Sequence, residues 1–208
     1  TVQLSEVVTV AGGTPTLQLE TGATDRAATY VSGSGTDTLV FSYTVQPGDL
    51  TGDLDYTSTT PIALNGATVT DTAGNPADLT LAAPGAAGSL GANKAIAIDT
   101  TIPVVTAVTS TNADGTYIPG DVITLTVAFS ENVTVSGTPT LQLETGATDR
   151  LATYAGGSGS NTLSFTYTVQ PGDATPDLEA LATNALALAG GSIQDAAGNA
   201  AVLTLPAL

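Results

Sequence analysis

The thirteen residues TPTLQLETGATDR stand twice in the chain, at 14–26 and again at 138–150. Extending the match without a gap, from 14 on 138 to 84 on 208, keeps about 45 identities over 71 positions. A repeat on this scale constrains the fold before any residue chemistry does, because each copy must bury the same core by the same pattern. Upstream, TVQLSEVVTV (1–10) matches TVAFSENVTV (126–135) at an offset one residue larger, so Gly12-Gly13 carries one extra residue in the first copy. Two units follow, 1–98 and 99–208. The first has no counterpart of IPVVTAVTSTNADGTYIPGDVITL (102–125), and the second has none of GAAGSLGANKAIAID (85–99). The expectation is a window on a longer tandem array, with the first unit's N-terminal strand and the second unit's C-terminal strand lying outside it. The alternative is that neighbouring molecules supply those strands.

Period-two alternation runs through both copies, the mark of half-buried strands. In NTLSFTYTVQ, Leu163, Phe165, Tyr167 and Val169 face one way, and Leu39, Phe41, Tyr43 and Val45 repeat the pattern. Ile123, Leu125, Val127 and Phe129 alternate with polar residues, as do Leu141 and Leu143 within the repeated stretch and Leu17 and Leu19 in its first copy. Between the runs stand QPGD (46–49 and 170–173), with Pro and Gly placed for a type II turn, and AGN (73–75 and 197–199). Short strands at such spacing predict an all-β fold of antiparallel β-sandwiches. Helical leanings are confined to LEALATNALALA (178–189), read as at most one turn crossing between sheets.

Nineteen acidic residues against three basic ones (Arg26, Lys94, Arg150) repel phosphate backbones and anionic membrane surfaces, which argues against nucleic acid as a partner. No apolar run reaches spanning length, so membrane insertion is not expected. The absence of Cys and His removes disulfides, thiolate nucleophiles, Ser-His triads and imidazole metal sites, and no enzymatic activity is expected. Trp is also absent, which leaves sugars without the aromatic platforms they usually require and argues against glycoside hydrolysis by paired carboxylates, and the small polar residues of VSGSG (31–35) and GGSGSN (156–161) make poor hot spots, so a glycan or protein receptor on those loops ranks last. A Lys–Asn cross-link in each unit is excluded, since the second copy contains no Lys.

DTTIPVVTAVTSTNADGTY, FSENVTVSGTPTLQL, TYTVQPGD and IQDAAGNAA together resemble the bacterial immunoglobulin-like repeats of large surface adhesins and related extracellular repeat proteins. The resemblance covers the whole chain, more strongly its second copy. It implies tandem immunoglobulin-like sandwiches in a Ca²⁺-stiffened, rod-like extender region at the cell surface, whose partners are further repeats of the same chain or neighbouring copies. A self-assembling extracellular filament or surface layer is the alternative.

Calcium takes six to eight oxygen ligands, and the acidic residues cluster in turns where such ligands could converge. GDLTGDLD offers Asp49, Asp53 and Asp55, and its counterpart GDATPDLE offers Asp173, Asp177 and Glu179. Asp71 with Asn75, and Asp195 with Asn199, bracket Ala-Gly turns and read equally as backbone caps or as ligands. Asp99 in the linker and Glu131 at a strand end are expected at one end of the second unit, the end of the DAAGN turn, with GDLTGDLD of the first unit facing it, so that Asp99, Glu131 and first-unit carboxylates would form a junction site. Asp25-Arg26 and Asp149-Arg150 read as local ion pairs.

Overall fold

The computed structural model describes residues 1–207. They form two compact units, Thr1–Thr100 and a second from Thr101 onward, a division two residues beyond the one read from the repeat. The first contains β1 (Val2–Gly12), β2 (Thr16–Glu20), β3 (Arg26–Ser32), β4 (Thr36–Ser42), β5 (Leu50–Thr51), β6 (Asp55–Tyr56), β7 (Ile62–Ala63), β8 (Ala67–Asp71), α1 (Leu90–Asn93) and β9 (Ile98–Asp99). The second contains β10 (Val105–Ser110), β11 (Val122–Ser136), β12 (Thr140–Glu144), β13 (Arg150–Gly156), β14 (Ser160–Thr168), β15 (Glu179–Ala180), β16 (Leu186–Ala187) and β17 (Ser192–Gln194).

The fold is all-β, and every ladder between these strands is antiparallel. Strand order is β6-β2-β3-β4-β1-β8 in the first unit and β10-β11-β14-β13-β12-β15 in the second. The same device curls both units into a sandwich. β1 pairs with β4 through Val2 and Gln3, breaks register, then pairs with β8 from Val8 to Gly12. β11 pairs with β14 as far as Ala128, breaks register, and ends on β17. One long strand thus serves two sheets, and the bulge between its halves sets the bend.

Alternation decides what the curl encloses. Leu141, Leu143, Leu163 and Phe165 are at most 1% exposed, each burial stabilising the unit by about 1.5–3 kcal/mol. Ile123, Leu125, Val127 and Phe129 pack against them from β11. The first copy follows the pattern at Leu17, Leu19 and Leu39 but departs further along β4 and the residues after it. Phe41 and Tyr43 are only half-buried, and Val45 is 48% exposed against 8% for its counterpart Val169. The cause lies in the pairing. In the second unit Ile123 and Leu125 lie opposite Tyr167 and Phe165, with β10 beyond, whereas β1 begins pairing only at Leu39.

The stretch at 178–189 is not helical. It forms the short strands β15 and β16 along the edge of β12, where ladder bonds and the buried Ala180, Ala185 and Leu186 outweigh its helix propensity. Among the described residues the single helical turn is α1, capped where the Ser89 hydroxyl accepts from the Ala92 N–H at 3.1 Å.

Candidate functional site

The repeated TGATDR turn is anchored to the QPGD turn by the same bonds in both units. Pro47-Gly48 and Pro171-Gly172 form type II turns, with Gly φ of +90° and +93° and the i+3 N–H of Asp49 or Asp173 donating to the Gln carbonyl. The next N–H, of Leu50 or Ala174, donates to the carbonyl of Thr21 or Thr145. Those threonines are buried, with hydroxyls donating to Thr24 and Thr148 carbonyls. Gly22 and Gly146 complete the approach. A Cβ on either would lie 2.5 Å from the carbonyl oxygen of Leu50 or Ala174.

Arg26 closes this clamp through Nε to Asp49 Oδ1 at 2.9 Å, and Arg150 does the same to Asp173 at 2.9 Å. The arginines therefore bridge 23 residues and do not form the local pairs with Asp25 and Asp149 read from the sequence. Asp49 is fully buried, and its other oxygen accepts from the Gln46 N–H at 2.6 Å. Burial alone would raise its pKa, but the Gln46 N–H and the guanidinium hold it below the ordinary carboxylate value. Asp173 is held down first by the Tyr167 hydroxyl, which donates to it, with burial opposing and Gln170 and Arg150 assisting. Burial first, and then this contact with Asp173, push Tyr167 up to about 12. Tyr43, its counterpart, buries its hydroxyl without a hydrogen-bond partner among the described residues.

Spacing in GDLTGDLD and GDATPDLE suggested convergent ligands, and the structure corrects this. Asp49 and Asp173 are committed to their clamps, so a metal ion would have to displace a guanidinium. Asp55 turns elsewhere, accepting from the Tyr56 N–H at 2.8 Å and the Gly85 N–H at 2.9 Å. Burial raises its pKa, and these donors together with Ser89 and Gly91 more than offset that. Asp53, Asp177 and Glu179 are exposed. Among the described residues neither triplet gathers its carboxylates within ligand distance. Asp99 closes β9, opposite Leu50 of β5.

The DTAGN and DAAGN turns are capped by their own aspartates. Asp71 Oδ1 accepts from the N–H groups of Ala73 and Asn75, and Oδ2 from the Asn75 amide at 2.7 Å. Asp195 repeats this with Asn199, N–H at 2.8 Å and amide at 2.7 Å. For Asp71 the Asn75 side chain is the main cause of a lowered pKa. For Asp195 burial raises the value and the Asn199 bonds outweigh it.

The β11 bulge brings Glu131 beside this second turn, with carboxylate oxygens of Glu131 and Asp195 within 4.8 Å of each other. Oxygens sharing one calcium at bonds of about 2.3–2.6 Å can lie up to about 5 Å apart, so the pair fits a hard cation as two of its ligands. The first unit holds a parallel arrangement that sequence reasoning missed. Glu6 occupies the position of Glu131 and lines a cleft of about 300 Å³ together with Asp71, Asn75 and Asp78. The signal was available, since TVQLSE aligns Glu6 with Glu131 in TVAFSE.

Among known proteins, no family model matches the chain, and neither a curated protein nor a solved structure matches it.

Proposed function

We propose that the chain is a pair of structural extender repeats from a large extracellular surface protein of adhesin type, immunoglobulin-like, stiffened by Ca²⁺ and without catalytic activity. The observation that carries this reading is what the identical residues do. Thr21, Gly22, Arg26 and Asp49, and their partners in the second unit, are engaged in an internal clamp. Residues kept the same for a shared ligand would present side chains to solvent, whereas these lock two turns together. A unit whose repeated clamp residues serve its own rigidity suits a spacer, where each added copy contributes length.

Calcium enters through Glu131 and Asp195, which supply hard oxygens where β11 bends. The ion would offset their mutual repulsion and tie the bulge to the DAAGN turn. The test is thermal unfolding of the whole chain in 10 mM Ca²⁺, in Mg²⁺ and in chelator at fixed ionic strength. A dissociation constant of 0.1–1 mM, the range of extracellular modules, gives about 1.4–2.7 kcal/mol by mass action. The rise should be specific to Ca²⁺ and absent from Glu131→Gln and Asp195→Asn. An equal rise with monovalent salt would refute calcium and leave the carboxylates as a solvated acidic surface.

A second reading, a subunit of a self-assembling filament or layer, is favoured by the partly open face at Phe41, Tyr43 and Val45. Fibres or defined oligomers of the isolated chain would support it.

A further inference from the structure

Asn65-Gly66 is the one Asn-Gly pair in the sequence, and the fold sets it at the corner where the chain leaves β7 for β8. The Ala67 N–H donates to the Leu64 carbonyl at 2.9 Å, and the two residues between them have φ of +50° and +80°. Positive φ at both central positions is the signature of a type I′ turn, for which Asn-Gly is a favoured pair. The second unit makes the same turn from Leu188 to Gly191, with φ of +50° and +85°, but places Ala189 where Asn65 stands. An alanine held at positive φ shows that the packing around the turn, rather than its own residues, imposes this backbone. What Asn65 adds is its amide.

That amide sits in a reactive setting. Nδ2 donates to the Thr14 carbonyl and to the Thr16 hydroxyl, each at 3.1 Å, and the side chain is exposed. The Gly66 N–H donates to no acceptor among the described residues. A Cβ built on Gly66 would meet nothing within 4 Å, so solvent reaches the pair. A backbone nitrogen outside any ladder, and with no side chain to shield it, therefore adjoins an amide carbon open to water.

We propose that Asn65 is a site of spontaneous modification, losing its amide to its own backbone. The Gly66 nitrogen attacks Asn65 Cγ; the new C–N bond closes a succinimide as the Cγ–Nδ2 bond breaks, and Nδ2 leaves as ammonia with the Gly66 amide proton. Water then opens one of the two imide C–N bonds, giving aspartate or, with the main chain rerouted through Cγ, isoaspartate. The two bonds that hold Nδ2 must open before Cγ can turn toward Gly66. Both are exposed and join neutral groups, so they slow the cyclisation without preventing it.

Neither product is silent in this fold. Each sets a carboxylate, in place of two donated hydrogen bonds, beside the Thr14 carbonyl and adds one negative charge to a chain already at −16. Isoaspartate also lengthens the main chain by a methylene where no room is left, because a Cβ on Gly13 would lie 2.0 Å from the Asn65 carbonyl oxygen. The first unit is thereby altered with time, and the second, with Ala189 in the same turn, is not.

The test holds the whole chain folded in mildly alkaline buffer for weeks, with fragmentation mass spectrometry of the tryptic peptide 27–94 and enzymatic methylation of isoaspartate as readouts. Asn65 should convert from amide to acid before any other asparagine, with isoaspartate the larger product. Asp114-Gly115 can cyclise as well, but it loses water rather than ammonia and ends with its mass unchanged, so the first readout does not register it. Thr16→Val, which removes one of the two restraining bonds, should speed conversion about fivefold. Asn65→Ala, matching position 189, should abolish it with the fold retained. The converted chain should show a lower unfolding transition for the first unit and an unchanged one for the second. Asn65 intact while another asparagine of the folded chain converts would overturn the inference. Conversion confined to chain unfolded in urea would do the same, since the turn would then protect its amide. A first transition unmoved at full conversion would overturn the structural consequence.

Discussion

Phe41 and Phe165 hold the same place in the two copies and make the same aromatic contact, which makes them a controlled pair. Phe165 meets Tyr154 edge-on with ring centroids 5.9 Å apart, and Phe41 meets Tyr30 at 6.0 Å. That contact, about 0.5–1.5 kcal/mol, cancels between them. The difference is the cover, since Phe165 has Leu125 opposite it and is 0% exposed while Phe41 is half-buried. Phe165→Ala removes a fully buried ring and leaves a cavity in a closed core, so it should cost about 4 kcal/mol. Phe41→Ala loses a smaller transfer energy, and its open side can relax or admit water, so about 2 kcal/mol is expected. For units near one hundred residues these become falls of roughly 15–20 °C in the second unit's transition and roughly 8–10 °C in the first's. Scanning calorimetry of the whole chain resolves the two, each variant identifying the transition it moves. Equal shifts, or a larger one for Phe41, would refute the claim that cover along β4 separates the two units energetically.

Tyr167→Phe should destabilise the second unit by about 1.5 kcal/mol, the worth of a hydrogen bond to a charged acceptor, whereas Tyr43→Phe in the first should be neutral or slightly stabilising; urea titrations of both variants check the contrast. Tyr167 is raised from 10.0 to about 12 in the native state, so the unfolded chain loses this proton first. Its contribution is complete below pH 10 and disappears as pH rises toward 12, which absorbance at 295 nm and unfolding midpoints can follow together. Asp49, Asp55, Asp173 and Asp195 all lie below the ordinary 3.8. Their contribution is therefore present above that value and lost as pH falls through the native ones, and circular dichroism should place the acid transition below about pH 4. Gly146→Ala, with φ of +101° and its new Cβ 2.5 Å from a backbone carbonyl, should lower the second unit's melting temperature by more than 10 °C, about 2 kcal/mol or more.

Sequence periodicity located the strands and assigned the inward face correctly along β11, β12 and β14, because alternation is a local property of the chain. Whether anything lies over that face is not local, and so Val45 reads like Val169 in sequence while the two differ sixfold in exposure. The QPGD turns were equally legible, since Pro and Gly fix their own dihedrals. The role of the aspartate closing each turn was not, because its partner arginine stands 23 residues away across a hairpin. Spacing among Asp49, Asp53 and Asp55 suggested a common ligand. A type II turn followed by two short strands instead sends Asp49 inward to Arg26 and Asp55 to the Gly85 N–H, leaving Asp53 outside.

Glu131 shows the opposite case, a carboxylate whose setting depends on one irregularity. Counted by twos from Phe129 it falls on the inward face, where a regular β11 would aim its carboxylate into the apolar core. The register break after Ala128 bends the strand so that its lower half reaches β17, and Glu131 at the bend comes within 4.8 Å of Asp195. Glu6 sits in the equivalent break of β1, between Gln3 and Val8, and Val8 pairs directly with Asp71. The bulge that lets one strand serve two sheets therefore also sets an acidic residue beside an aspartate-capped turn, once per unit. A cation held there would act on the joint that gives the sandwich its curl, so calcium binding and resistance of each unit to unfolding should rise and fall together.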